Sequence, residues 1–161
     1  MSLSTNKTYG RAAALGLVAG MRSMYAPAVL THIYSRNTTE QLKNSPLQWL
    51  QTIPASKVFK VLAVAELVGD KMPSAPNRTA APGLIGRIIA GGLCGAAVFK
   101  GENKNALIGG LIGGAMATAS TFGCFMLRRQ VVKNSRLPDP VIGACEDILT
   151  IAAGVTIVSK L

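Results

Sequence analysis

Apolar positions in this chain fall into five runs separated by short polar segments: Ala12 to Ile33, Val58 to Gly69, Leu84 to Phe99, Ala106 to Leu127 and Val141 to Val158. A helix needs about 20 apolar residues to cross roughly 30 Å of hydrocarbon. The first and fourth runs reach that length, and the fourth does so without a single charged residue. The second run is short. It reaches a usable length only when extended back to Ile53, with Lys57 and Lys60 turning their ammonium groups outward. The pattern predicts an all-α fold, a polytopic helical membrane protein with about five transmembrane segments, in a single domain over residues 1–161.

Punctuation within and between the runs adds detail. Lys7 and Arg11 precede the first run like the start of a signal peptide. The run is too long for one and lacks a convincing cleavage site, so it is expected to stay as a first span. It holds Gly16 and Gly20 at a spacing that lets helices approach closely, and Pro27, which removes a backbone donor and is expected to kink or break the helix. Between Ser35 and Lys57, Leu47, Leu50 and Ile53 recur at i, i+3 and i+6 around Trp49, predicting a short interfacial helix with its ring at headgroup level. Three prolines in MPSAPNRTAAPG exclude regular helix there. That segment reads either as an unwound stretch lining a cavity or as a plain external loop. KGENKN predicts a compact turn, and RRQVVKNSRLPDP is expected to close the fourth run.

Composition agrees with a lipid solvent. Apolar residues make up 49 % of the 161 positions and charged residues 15 %, against about a quarter in soluble domains. The 17 glycines suit close helix packing better than a bulky aqueous core. A net charge of +10 would fit a nucleic-acid binder, but most of the cations sit in the gaps between apolar runs, as they do beside membrane spans, and nucleic acid is therefore not an expected partner. Cys94, Cys124 and Cys145 lie inside apolar runs with no CxxC spacing, and are expected to be free buried thiols rather than a disulfide or metal site. His32, beside Tyr34, reads as an interfacial side chain. No P-loop, HExxH or GxSxG is present, so no catalytic residue, cofactor or metal is assigned.

The candidate chemistry lies in charges placed inside the apolar runs. Glu66 and Asp70 stand four residues apart, on one face of a helix, and Glu146 and Asp147 lie in the fifth run. Arg22 lies within the first run, Arg87 near the start of the third and Arg78 between the second and third. Ionisable groups within spans mark a pathway, a relay or an internal pair. In the first case the four acids bind a cation or proton, and the three arginines neutralise them or hold an anionic group. The protein is then a transporter or channel-like carrier of a small ion or solute. In the alternative, the arginines pair with the acids to lock the bundle, and the protein is a membrane scaffold or complex subunit, with headgroup binding by basic residues as a variant. Membrane lipids and further copies of the chain, with a dimer as one form, are the other expected partners.

Two larger patterns follow. GLVAG at Gly16 to Gly20 matches GLIGG at Gly110 to Gly114, and VAE at Val64 to Glu66 matches ACE at Ala144 to Glu146. Residues 12–79 and 84–161 can thus be read as halves of an inverted two-helix repeat, as in many transporters. With five alternating spans, nine cations, among them Lys7 and Arg11, face one side and seven, among them Lys100 and Lys104, face the other. This is a poor orientation signal.

At AELVGDKMPSAPNRTAAPGLIGR (Ala65 to Arg87) and LPDPVIGACED (Leu137 to Asp147), and at GMRS in the first run, the chain resembles a family of small bacterial integral membrane proteins known as a domain of unknown function, DUF4126. The resemblance covers most of the chain. It implies a polytopic helical protein of the bacterial cytoplasmic (inner) membrane, and brings no catalytic residues with it.

Overall fold

In the computed structural model, residues 2–69, 81–134, 148, 150–154 and 156 are described, and among them every regular element is helical. The helices are α1 (Ser2–Met21), α2 (Tyr25–Arg36), α3 (Glu40–Lys43), α4 (Ile53–Gly69), α5 (Ala81–Gly101) and α6 (Ala106–Asn134), with a 3-10 turn at Gln48–Gln51. Residues 150–154 are also helical.

Helices α1, α5 and α6 form the centre of the molecule, and α2 packs chiefly on α4. Glycines set how closely the central three approach. A Cβ added to Gly91 would lie 2.7 Å from the Gly113 carbonyl oxygen, and one on Gly16 would lie 2.5 Å from the same atom. Gly95 and Gly109 likewise meet backbone to backbone. Gly110 and Gly114 also lie against α5, but more loosely: an added Cβ would meet Gly92 and Ala96, or Ile88, at ordinary van der Waals distance.

The α5–α6 connection shows why the polar turn is compact. Asn103 takes φ 55°, a left-handed conformation that asparagine tolerates. The Lys104 N–H donates to Phe99 O at 2.8 Å and the Asn103 N–H to Lys100 O at 3.0 Å, closing α5. Asn105 Oδ1 then accepts from the Leu107 N–H at 2.9 Å and caps the start of α6.

The first apolar run differs from expectation: α1 ends at Met21 and α2 begins at Tyr25, so the run is two helices. The two run in opposite directions. Arg11 of α1 and Tyr34 of α2 line one pocket with Gly101 and Glu102, while the link between the helices lies at the other end of both. Pro27 accounts for the break. Its ring would clash with the Ser23 carbonyl, and it has no N–H to return to it.

This reversal adds one pass of the chain. The start of α1 therefore lies beside the α5–α6 turn, with Arg11 Nη1 3.2 Å from Glu102 Oε1 and Lys104 Nζ donating to Thr8 Oγ1 at 2.6 Å. Alternation of five spans had placed Lys7 and Arg11 opposite Lys100 and Lys104. Of the halves 12–79 and 84–161, the Gly-rich helices α1 and α6 are both described. They run parallel, Gly16 meeting Gly113 and Gly20 meeting Ala117, whereas an inverted pair runs antiparallel.

Other boundaries moved for local reasons. The Leu47–Leu50–Ile53 stripe is not one helix, because Thr52 is extended at φ −90°, ψ 145°, as a residue capping the start of the next helix is. Thr52 Oγ1 accepts from the Ala55 N–H at 3.3 Å and caps α4. Leu50 is fully buried, Ile53 exposed, and Trp49, 44 % exposed, stacks on Phe59 at 5.9 Å. Pro82 falls inside α5 after all, in the first turn, where its missing N–H has no partner to lose. Helix α6 continues through the basic RRQVVKN segment to Asn134, since arginine, glutamine and lysine are good helix formers.

Two helices, Ala81–Gly101 and Ala106–Val131 within α6, are long and apolar enough to cross a membrane. At 12 and 17 residues, α2 and α4 are shorter.

Candidate functional site

A continuous α1 would return the Ser23 and Met24 N–H groups to the carbonyls of Ala19 and Gly20. Here both go to Glu66 of α4. The Ser23 N–H donates to Oε1 at 2.9 Å, the Ser23 hydroxyl to the same oxygen at 2.8 Å, and the Met24 N–H to Oε2 at 2.8 Å. Met24, in the capping position of α2, has no side-chain cap of its own. Glu66 supplies that cap from another helix, with its negative charge at the positive end of the α2 dipole.

Helix α6 deals with the opposite end. Thr121 Oγ1 lies 3.1 Å from Gly20 O, the carbonyl that Met24 has left, and 2.8 Å from Ala117 O in its own helix. Ser120 Oγ donates to Leu17 O at 2.8 Å. The Ser23 and Met24 N–H groups and the Gly20 carbonyl, which a continuous helix would pair within the backbone, thus meet side chains of α4 and α6.

The reversal lies deep within the bundle. From Arg11, level with the α5–α6 turn, α1 rises only roughly 15 Å to Met21. Beyond Thr121, at the height of Gly20, α6 continues for roughly 20 Å. Arg22, at the reversal, is 5 % exposed, and Arg87 of α5 is 6 % exposed. Gly91 and Gly20 both meet Ala117, so Arg87, one turn before Gly91, lies at the height of the last turn of α1. Arg22 also lines a small cavity of about 10 Å³ with Tyr25, Ala63, Leu67, Thr150 and Ile151, space on the order of one water molecule.

Of the seven residues singled out in the sequence, the structure thus brings Arg22 and Glu66 to one end of the α1–α2 pair and puts Arg87 at the same height. Asp70, Arg78, Glu146 and Asp147 lie outside the described residues. Ser23, Met24, Ser120 and Thr121 were missed. Their signal is a run of hydroxyl-bearing residues in apolar surroundings, and a Ser four residues before a proline.

These features define a helical protein built round a buried chain reversal, with two helices long and apolar enough to span a membrane. The family model described as a domain of unknown function, DUF4126, matches residues 10–159, and the chain belongs to that family. No curated protein and no solved structure matches it.

Proposed function

We propose that this is an integral membrane protein, of the bacterial cytoplasmic membrane as the family resemblance implies, that carries a small ion or solute past the buried reversal. In this reading α5 and α6 cross the bilayer, and α1 and α2 form a re-entrant hairpin that turns back near the midplane. Support comes first from the outer faces. Helix α4 covers only a stripe at Ser56, Phe59, Ala63 and Glu66, leaving Val61, Val64 and Val68 each at least 60 % exposed. Leu107, Leu111, Met126 and Leu127 of α6 are equally open. Apolar surface on this scale suits lipid, or a second copy of the chain, rather than water.

The observation that carries the transport reading is the reversal itself. Interrupted helices at mid-membrane depth, with backbone ends and ionisable side chains gathered around them, are where carriers bind their substrates. Arg22, Glu66 and Arg87 are the described residues of that site, and Asp70, Arg78, Glu146 and Asp147 complete the proposed set. We assign the chain no chemical step of its own. The test is flux in proteoliposomes under imposed proton, cation and small-anion gradients. Wild-type vesicles should dissipate at least one gradient, and Glu66→Gln, shown to be folded, should abolish that flux or shift its pH dependence. Tight wild-type vesicles under every gradient overturn the reading.

A second reading is favoured by the Glu66 contacts, because a carboxylate holding three donors is already occupied. In it, Glu66 and the arginines only brace the bundle, and the protein is a scaffold or a subunit of a larger complex. Flux is then absent in both proteins, and Glu66→Gln loses a partner in pull-downs.

A further inference from the structure

We infer that the cleft along α1 binds an anionic phospholipid, with its headgroup at Lys7 and Arg11 and its acyl chain lying toward Met21. The cleft has a volume of about 770 Å³, within the range of roughly 300–1,000 Å³ usual for ligand sites. Its floor is one face of α1 with Ala14, Leu17 and Met21, and Ser120 of α6 and Ala153 belong to its walls. Along this face α1 rises roughly 21 Å from Lys7 to Met21, a path suited to an extended chain.

Among the described residues that line the cleft, charge lies at one end. Lys7 and Arg11 stand at the cleft, and Lys104, hydrogen-bonded to Thr8, lies beside them. The acid described beside these groups is Glu102, with Oε1 3.2 Å from Arg11 Nη1. Among the described residues, Lys7, Arg11 and the nearby Lys104 outnumber Glu102 at the end level with the α5–α6 turn, and an apolar groove follows. That sequence of charge and apolar surface matches an anionic headgroup and its chain. The inference rests on the membrane location proposed above and is independent of transport.

The experiment uses the full chain, purified in neutral detergent and stripped of lipid, with melting temperature as the readout. Phosphatidylglycerol, phosphatidylcholine and inorganic phosphate are titrated in turn. A ligand bound only by the folded state raises the melting temperature with the logarithm of its concentration. Phosphatidylglycerol should do so, and the other two should give little or no shift. Lys7→Glu should weaken the phosphatidylglycerol shift while leaving the lipid-free melting temperature near that of the wild type, and Ala14→Trp, which fills the groove, should remove it. If Ala14→Trp is itself unstable, Leu17→Trp replaces it, since Leu17 is 39 % exposed. No shift with phosphatidylglycerol, an equal shift with phosphatidylcholine or with phosphate, or a full shift retained in both variants overturns the inference. A protein monodisperse in buffer without detergent would instead sink the membrane location, which separates the two failures.

Discussion

The Glu66 carboxylate caps the Met24 N–H at 2.8 Å, across 42 residues of sequence, and so holds α2 folded back from α1. Replacing Glu66 with Ala leaves the part-buried Ser23 and Met24 donors without this acceptor, at a cost of about 1 kcal/mol for each. Gln keeps one carbonyl oxygen and should lose less. Thermal unfolding in detergent, followed by the far-ultraviolet helix signal, should rank wild type above Gln and Gln above Ala; equal melting temperatures for all three would remove Glu66 from the fold's support.

The central seam predicts opposite outcomes for two kinds of glycine. At Gly95 and Gly113 an added Cβ meets backbone of the facing helix, so alanine there should destabilise by about 1–3 kcal/mol. Gly86 and Gly123 have open space at that position, and alanine should stabilise by about 0.5–1 kcal/mol through lower chain entropy. Melting of the four variants side by side checks the sign at each site.

Hydroxyl donors between helices contribute modestly inside membranes, about 0.6 kcal/mol on average. Thr121→Val should cost about that or somewhat more, because Gly20 O has lost its usual helical donor as well. Ser120→Ala should cost less, since its acceptor, Leu17 O, lies one turn earlier, within the regular part of α1. Denaturation midpoints compared with the wild type give both numbers.

Contact between the start of α1 and the α5–α6 turn has a topological consequence. In a background without native cysteines, Asn6→Cys and Asn103→Cys should react with an impermeant thiol reagent from the same side of a sealed vesicle. Labelling from opposite sides would restore the five-span alternation and remove the hairpin.

The sequence announces some of this structure and hides the rest, for physical reasons. The α5–α6 hairpin was legible because its signals are local: a charge-free apolar run and the polar hexapeptide KGENKN before it. The break before Pro27 was legible for the same reason. Its direction was not, because proline removes a donor but does not say where the chain goes next, and that is decided by a carboxylate on α4. Glycine spacing likewise marked Gly16 and Gly20 as places of close approach, but spacing alone does not grade the contact, since Gly109 and Gly113 meet α5 backbone to backbone while Gly110 and Gly114, at the same spacing, leave room for a Cβ. Glu66 stood out as an acid in an apolar run, which is a statement of cost. That it offsets the cost by accepting three hydrogen bonds depends on distant residues, Ser23 and Met24.

The distance along the chain between Met24 and Glu66 also orders the assembly of the fold. Helices α1 and α2 together end at Arg36, 30 residues before the carboxylate that secures their turn. The turn between α1 and α2 is therefore secured only once α4 is in place, and a chain cut short of Glu66 lacks the acceptor that holds it.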